Sequence, residues 1–321
     1  MRVVMTGGGE FVGSHLLARM VGAGMHVTLI GPDTGPCRYT ASLVNAGDAR
    51  FVRCDADFGD EVTLRSALED ADAVVLLGRV QPRGRSLSES FLEELSSNVA
   101  PTLRLLRAAV GEARHVVFAS SVAVYGAPAR APVRESDPPS PVTPHAIAKL
   151  TAELAIRTTC SAAGMSLSIL RYSTVYGPGE TGDGAVPRFI RAALEGQPLV
   201  IDGDGLDEHD YIHVADAAGA TLAALRHRAE GVYNIGTGVG TTTLDLARLV
   251  SEHAHTKAIP VCRTWKRPDH DRTRIVCDTE LAAAQLGFSA RRVLADGITE
   301  EIGWLKAQHA GTPGPVLAAS A

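Results

Sequence analysis

The opening stretch of the chain, residues 1–21, constrains the fold most strongly. A short apolar run from Val3 to Met5 leads through Thr6 into three consecutive glycines, and apolar side chains at helical spacing follow at once. This order predicts a strand, a tight turn and a helix. In a dinucleotide-binding βαβ unit, one glycine makes such a turn, a second lets the backbone approach a pyrophosphate, and a third lets helix and strand pack closely.

Gly7 and Gly13 fill the outer positions of this motif. If the pattern is Gly-x-x-Gly-x-x-Gly, the central position is Glu10. A carboxylate in a first helical turn is favoured by the helix dipole by about 0.3–1 kcal/mol, but it would compete with a pyrophosphate for the same amide donors. Gly9 takes over the close approach if the spacing is Gly7-x-Gly9 with Gly13. A turn that binds nothing fits this stretch equally well, so the rest of the chain must decide.

Composition excludes several classes of function. The 321 residues are 45% hydrophobic, and a net charge of -5 gives no sign of nucleic-acid binding. The five cysteines are scattered without CxxC or His/Cys spacing, so neither a disulfide framework nor a metal site is indicated. No segment reaches the ~18 apolar residues that span a membrane, and the apolar start is too short for a signal peptide. We expect a cytoplasmic protein without nucleic-acid or membrane partners.

Apolar runs alternate with helical patterns along the first half of the chain. Strands are predicted after the first helix at residues 26–30, 50–54, 73–77, 115–119 and 167–171, and helices at residues 60–68, 88–110 and 145–163, the second with a break near residues 98–101. This alternation predicts an α/β protein with a doubly wound, parallel, Rossmann-like sheet.

Beyond residue 173 the pattern becomes irregular, with glycine-rich loops between short helices. We expect a dinucleotide-binding Rossmann domain over residues 1–172, a smaller C-terminal substrate-binding region over 173–309 that is partly interleaved with the core, and a flexible tail over 310–321. The end of the second strand usually carries an acid for the adenine ribose, or a basic residue for a phosphorylated one. Gly31 stands there, with Asp33 and Arg38 further on, so these residues do not separate NAD from NADP.

Six stretches resemble the extended short-chain dehydrogenases/reductases of the NAD-dependent epimerase/dehydratase family, such as UDP-galactose 4-epimerase. Most members of this family act on nucleotide-activated sugars. The stretches are TGGGEFVGSHL at 6–16, SSVAVYG at 120–126, RYSTVYGPG at 171–179, HDYIHVAD at 209–216, YNIGTG at 233–238 and RPD at 267–269. Their order along residues 2–306 is much more specific than one glycine turn.

The resemblance implies hydride transfer at a sugar carbon with coupled proton transfer. In the family a Ser or Thr and a Tyr hydrogen-bond the reacting oxygen, and a Lys four residues after the Tyr supports the tyrosine and holds the nicotinamide ribose. Ser121 matches the hydroxyl position and Lys149 the lysine, while His145 stands at the tyrosine position. These three residues form the expected catalytic set.

His145 is the most informative departure from the family. An imidazole changes charge near pH ~6.5 and a phenol near ~10, which favours the imidazole as a base at neutral pH. A histidine is also shorter by roughly 2 Å, and ~1 Å of misplacement can cost ~10²-fold in rate. Three interpretations stay open: His145 is the working acid/base, another group such as Tyr125 or Glu135 takes that role, or the site has lost catalysis.

The same resemblance assigns the other site residues. The expected cofactor-binding residues are Gly7, Gly9, Glu10, Phe11, Val12, Gly13, Asp33, Asp55, Ala56, Leu77, Gly78, Asn98, Lys149 and Tyr172. The expected substrate-binding residues are Ser121, Thr174, Val186, His209 and Arg267. Arg267 matches an arginine that grips the nucleotide diphosphate, whereas Thr174 and His209 stand where the family usually has Asn and Arg.

Val122 and Ala123 narrow the reaction type, because sugar dehydratases of the family carry an acidic pair there and the decarboxylases a Glu. The resemblance therefore favours an epimerase or ketoreductase that uses NAD or NADP, with NAD preferred, and that forms a homodimer. Two alternatives are a non-redox acid/base enzyme that uses His145 and a catalytically silent paralogue that binds a sugar nucleotide.

Overall fold

The computed structural model describes residues 1–32, 38–55, 58–78, 87–182, 184–263 and 273–309. Within these ranges the strands are β1 (Arg2–Thr6), β2 (His26–Gly31), β3 (Ala49–Arg53), β4 (Ala73–Leu76), β5 (His115–Ser121), β6 (Ser166–Tyr172), β7 (Thr174–Tyr176), β8 (Leu199–Asp202), β9 (Glu208–His213), β10 (Gly231–Ile235), β11 (Gly240–Thr242), β12 (Pro260–Arg263) and β13 (Arg274–Ile275). The predicted tail at 310–321 lies outside the described residues.

The α-helices of the same ranges are α1 (Phe11–Gly22), α2 (Arg38–Asn45), α3 (Glu61–Leu68), α4 (Leu87–Glu94), α5 (Ala100–Ala109), α6 (Pro144–Ala163), α7 (Ala185–Leu194), α8 (Val214–His227), α9 (Thr243–His253), α10 (Glu280–Leu286) and α11 (Leu294–His309). A π-helical segment, Leu95–Val99, joins α4 to α5, and a 3₁₀ turn, Val122–Tyr125, follows β5.

Seven strands form one parallel sheet in the order β10-β6-β5-β4-β1-β2-β3. From β1 the chain first adds β2 and β3 on one side and then β4, β5 and β6 on the other. The reversal lies between β1 and β4, and in open α/β sheets ligands bind outside the carboxyl ends of the strands at this point. The predicted doubly wound parallel sheet is confirmed.

The central strands are apolar because both of their faces are covered. Val3 and Met5 pack with side chains of α1 and α8, and Val4 between them packs on the opposite face with side chains of α3, α5 and α6. Successive side chains of a strand point to opposite faces, so a continuous apolar run is what two helical layers require. This packing fixes where each strand ends and therefore where the site residues lie.

The long helix predicted at 88–110 is interrupted as expected. Its first part ends at Glu94, five residues of π-helix follow, and α5 begins at Ala100. Pro101 lacks the N–H that a continuous α-helix needs, which accounts for the change of hydrogen bonding one turn earlier. Single π-helical turns often lie at functional sites.

The later part of the chain builds a second set of sheets. Strand β9 pairs with β7, β11 and β13, and β8 pairs with β12. Helices α7, α9 and α11 pack around these strands through a separate apolar cluster. Strand β10 instead joins the main sheet beside β6. The division at residues 172 and 173 stays a prediction.

Candidate active site

The glycine turn after β1 has the close packing that the motif requires. Gly7 adopts φ +67°, and a Cβ there would lie 3.1 Å from Cβ of Leu77. A Cβ on Gly13 would lie only 2.0 Å from the carbonyl oxygen of Gly7, and one on Gly8 would lie 2.3 Å from Cδ2 of Leu29. Backbone atoms therefore exclude a side chain at Gly13, and the positive φ disfavours one at Gly7, so the backbone of α1 can pack directly against the turn.

Glu10 is the N-cap residue of α1, but its side chain does not cap the helix. Its backbone N–H donates to the carbonyl of Gly7 at 2.9 Å, and its carbonyl accepts from the N–H of Ser14 at 2.8 Å. The first N–H groups of an α-helix have no partners within the helix, so those of residues 11–13 are the donors available to an anion. The half-buried Glu10 lies at the start of this donor group.

The neighbouring strand end supplies the other wall of this crevice. The Thr6 hydroxyl donates to the carbonyl of Leu77 at 2.9 Å and accepts from its N–H at 3.0 Å, which ties β1 to the end of β4. A Cβ on Gly78 would lie 2.8 Å from Nζ of Lys149 and 3.3 Å from Oδ1 of Asn98. The structure therefore brings five of the predicted cofactor residues together at this crevice: Gly7, Leu77, Gly78, Asn98 and Lys149.

Helix α6 carries two of the predicted catalytic residues. The Thr143 hydroxyl caps its start by accepting from the N–H of Ala146 at 3.2 Å. His145 and Lys149 are four residues apart, so they lie on the same face of the helix. Lys149 donates to the carbonyl of Ala119 on β5 at 2.6 Å. Burial lowers the pKa of Lys149 to about 8, although nearby carboxylates oppose this change.

Ser121 is the last residue of β5, at the same edge of the sheet. Its Oγ accepts a hydrogen bond from the N–H of Ala123 at 3.2 Å, which starts the 3₁₀ turn. That bond uses a lone pair of the oxygen and leaves the hydroxyl hydrogen for another acceptor. Ser121 can therefore donate to an oxygen bound above the strand end.

His145 contacts a residue that sequence reasoning missed. Its Nδ1 lies 3.2 Å from Oε1 of Glu94, and Oε2 of Glu94 accepts from Nδ2 of Asn98 at 2.7 Å. The Glu94 side chain is only 5% exposed, compared with 24% for His145. Burial alone would raise the pKa of Glu94, but the hydrogen bonds from His145 and Asn98 and the positive charge of Lys149 hold it below the ordinary value. Glu94 is therefore a carboxylate at neutral pH.

The two other acid/base candidates are engaged elsewhere. The Tyr125 hydroxyl donates to Oδ1 of Asn234 at 2.8 Å and accepts from Nη1 of Arg171 at 2.9 Å. Tyr125 is 1% exposed, and burial raises its pKa to about 12, against the effect of Arg171. Glu135 accepts from the backbone N–H of Asn234 at 2.7 Å. Both groups connect loops to the core beneath the site.

Other predicted cofactor residues are placed in different ways. Asp55 is exposed just beyond β3. Tyr172 is 7% exposed, and its hydroxyl is hydrogen-bonded to Thr221 of α8 within the core. Asp33 and Ala56 lie outside the described residues.

The predicted substrate residues are spread over the later strands and helices. Thr174 is exposed at the start of β7, and His209 is half-buried in β9, where its ring meets that of Tyr211 edge to face at 6.3 Å. Val186 is 1% exposed and belongs to the apolar cluster around α7. Arg267 lies outside the described residues. A substrate contact of Val186 would therefore need its backbone or a movement of the helix.

The glycine turn, the crevice between β1 and β4 and the Ser121, His145 and Lys149 side chains define a Rossmann-type dinucleotide-binding protein. The model of the NAD dependent epimerase/dehydratase family matches residues 3–236, more than half of the chain. The chain belongs to this family, whose members are extended short-chain dehydrogenases/reductases, and the resemblance predicted from the sequence is confirmed.

Sugar-nucleotide epimerases and sugar-nucleotide dehydratases both match nearly the whole chain. A UDP-glucose 4-epimerase of Azospirillum brasilense is 31% identical over 347 residues, with 98% of this chain and 96% of the relative covered. A dTDP-glucose 4,6-dehydratase of an Actinoplanes species is 29% identical over 325 residues, with 96% and 99% covered. The solved structure of a Bacillus cereus UDP-glucuronic acid 4-epimerase in complex with UDP-glucuronic acid and NAD is similar with a TM-score of 0.81, 27% identity and 96% and 100% coverage.

Of the helices in the described part of the chain, none is both long and apolar enough to cross a membrane.

Proposed function

We propose that this protein epimerises a sugar nucleotide by reversible hydride transfer at a sugar carbon, with NAD as the preferred cofactor and reduction of a keto sugar as the second possibility. The observation that carries the proposal is the meeting of the glycine turn, Ser121 and the His145 and Lys149 pair at one edge of the sheet. The sugar-nucleotide substrates of the relatives support the same substrate class.

The residues of the crevice fit a dinucleotide. Gly7 and Gly13 let the turn pack closely against the start of α1, which presents the first N–H groups of this helix to a pyrophosphate, and Lys149 lies next to Gly78, where a nicotinamide ribose would contact it. When bound, the nicotinamide supplies the acceptor and donor of the hydride. NAD in the solved structure of the Bacillus cereus relative supports a cofactor of the NAD type.

Side chains of the protein bind and transfer the proton of the reacting sugar hydroxyl. Ser121 donates its hydroxyl hydrogen to the reacting sugar oxygen and so orients it, and the free ring nitrogen of His145 accepts the proton that leaves this oxygen as the carbon is oxidised. Lys149 keeps a positive charge beside the ribose. In an epimerase His145 returns the same proton when the hydride comes back on the opposite face.

The turn after β5 favours epimerisation over dehydration. Dehydration needs an acid and a base at the carbons next to the oxidised one, and the residues that follow Ser121 are the apolar Val122 and Ala123. Val122 is 7% exposed. The epimerase relative is therefore the better guide to the reaction, although dehydratases match the chain equally well.

The first experiment is to identify any nucleotide that purifies with the protein, and then to titrate the stripped protein with NAD⁺, NADH, NADP⁺ and NADPH by calorimetry. We expect micromolar binding of NAD and conversion of a UDP- or dTDP-sugar to its epimer without net consumption of cofactor. If no nicotinamide nucleotide binds at millimolar concentration, the redox proposal is wrong, and a non-redox enzyme or a silent binding paralogue is left.

The role of His145 has its own test. His145→Phe should abolish turnover and leave cofactor affinity unchanged, because the ring occupies similar space and cannot accept a proton. His26→Phe is the matched control, since His26 is exposed at the amino end of β2, the opposite edge of the sheet. Full activity of the His145→Phe protein would remove this residue from the mechanism.

We also propose a homodimer, in line with the resemblance. Ile147 and Leu154 are 37% and 56% exposed and lie seven residues apart on α6, which gives this helix an apolar outer stripe. Sedimentation of the purified protein distinguishes a dimer from a monomer. A cytoplasmic location stays a prediction.

A further inference from the structure

We propose that Glu94 is a positioning residue that adapts this site to a histidine base: it holds His145 with the hydrogen on Nδ1 and balances the charge of the imidazolium that forms during turnover. The second half of this statement rests on the proposed function, whereas the first half concerns the protein without any ligand.

The contact between the two side chains defines the tautomer. Nδ1 of His145 is 3.2 Å from Oε1 of Glu94, and an ionised carboxylate can only accept a hydrogen bond. The hydrogen of a neutral His145 therefore sits on Nδ1, and Nε2 carries the lone pair. No hydrogen bond joins Nε2 to another described residue, so the basic nitrogen is left for a ligand.

The charges around His145 explain why a carboxylate is needed. A tyrosine base becomes an anion when it is deprotonated, and a neighbouring lysine ammonium stabilises that anion. A histidine base instead goes from neutral to positive when it takes the substrate proton, so the same ammonium of Lys149 opposes the step. Glu94 lies against His145 and also interacts electrostatically with Lys149. One negative charge then offsets the lysine and pairs with the imidazolium.

The helix holds this carboxylate firmly. Asn98 donates to Oε2 of Glu94 at 2.7 Å while His145 contacts Oε1, so both oxygens are engaged. Glu94 is the last residue of α4 and Asn98 lies in the π-helical segment that follows. Glu94, Asn98 and Lys149 line one small cavity beside Gly78. Burial of a carboxylate destabilises a protein unless hydrogen-bond or charged partners compensate for it. The partners of the Glu94 carboxylate belong to the candidate active site.

Both ring nitrogens of His145 carry a hydrogen in the middle of the proposed reaction. Nε2 of His145 takes the hydroxyl proton of the sugar as the hydride leaves the carbon, and Nδ1 keeps its own hydrogen on the Glu94 side. The ring is then positively charged beside a negative carboxylate. The proton on Nε2 returns to the sugar oxygen when the hydride returns, so Glu94 is never protonated.

The tautomer is tested first, on ligand-free protein with ¹⁵N-labelled histidine. At a pH where His145 is neutral, we expect its ring ¹⁵N shifts and one-bond N–H coupling to report hydrogen on Nδ1 in the native protein and in Glu94→Asp. In Glu94→Leu, which has no acceptor, the hydrogen should move to Nε2. Hydrogen on Nε2 in the native protein, or the same tautomer in Glu94→Leu, overturns the proposal whether or not the protein is an epimerase.

The charge balance is tested by a double-mutant comparison on the active enzyme. Glu94→Gln should lower kcat at least about tenfold in the native background, as expected for a weakened general base. In His145→Tyr the same change should raise kcat, because a carboxylate beside a phenol opposes the phenolate. Glu93→Gln on the same helix is the control. Equal losses in both backgrounds would mean that Glu94 is merely structural, and absence of turnover with the expected tautomer would refute the proposed function alone.

Discussion

Gly13→Ala is the change that tests the cofactor site most directly. A Cβ at this position would lie 2.0 Å from the carbonyl oxygen of Gly7 and 3.0 Å from Cα of Gly8. Real Cβ atoms do not approach an oxygen so closely, and these neighbours are backbone atoms that no rotamer change can move. The first turn of α1 and the glycine turn must therefore separate by about 1 Å, which is the order of displacement that impairs precise positioning.

The size of the effect follows from the hydrogen bonds at stake. Bonds from N–H groups to a charged partner contribute about 1.5–3 kcal/mol each. If the shift misplaces two of the N–H groups at residues 11–13, the loss is roughly 3–6 kcal/mol, equivalent to about 10²–10⁴-fold in the dissociation constant. We expect cofactor affinity of Gly13→Ala to fall within this range.

Calorimetric titration with NAD⁺ measures this loss, and thermal unfolding shows whether the variant still folds. Gly219→Ala is a matched control, because Gly219 is in α8, which packs against α1, and the nearest atom to its added Cβ is 4.0 Å away. Alanine in a helix interior should stabilise the protein by about 0.5–1 kcal/mol and leave affinity unchanged. Unaltered NAD⁺ affinity in a folded Gly13→Ala protein would refute the assignment of this turn to the pyrophosphate.

Three further predictions concern the core beneath the site and its strand ends. Tyr125→Phe should keep kcat within about twofold. It should lower the free energy of unfolding by about 1–3 kcal/mol, because it leaves the buried side-chain oxygen of Asn234 without its hydrogen-bond donor. A large loss of kcat would restore Tyr125 as an acid/base candidate. Burial lowers the pKa of His115 to about 4, so its neutral form stabilises the fold above pH ~6.5 and this stability is lost as the pH falls towards 4. The free energy of unfolding should fall by about 3 kcal/mol for this reason. Denaturant unfolding between pH 7 and 4 should show that this free energy declines less steeply in His115→Gln than in the native protein. Gly78→Ala should weaken cofactor binding, because its Cβ would lie 2.8 Å from Nζ of Lys149, and unchanged calorimetric affinity would contradict that placement.

Local sequence patterns were sufficient to predict most strands of the main sheet. Central parallel strands are buried on both faces, so they appear as unbroken apolar runs, and Pro101 marks the interruption of the helix that contains it. Strand β10 was not predicted, because its place beside β6 depends on a pairing between residues 231 and 168, far apart in the chain. Helix α2 was also missed, since its Thr, Ser and Asn residues favour turns as much as helix.

The site was predictable only where a motif carried it. The glycine turn, Ser121 and Lys149 follow recognisable patterns, whereas the pairing of Glu94 with His145 joins residues 51 positions apart and has no local signature. The sequence shows only that an acid stands four residues before Asn98, which places these two residues together on a helix but does not point to His145. Tyr172 and Val186 show the reverse problem, because a matching position does not reveal that the side chain is turned into the core.

Strand β10 limits how the chain can be truncated and how its later region can be exchanged. It lies at the edge of the main sheet next to β6, so a polypeptide that stops near residue 172 would expose the whole hydrogen-bonding edge of β6. On the ribosome the sheet can be completed only after residue 235 has emerged. We expect fragments of the first 172 residues to aggregate, and exchange of the later region between family members to succeed only when the donor also provides this strand.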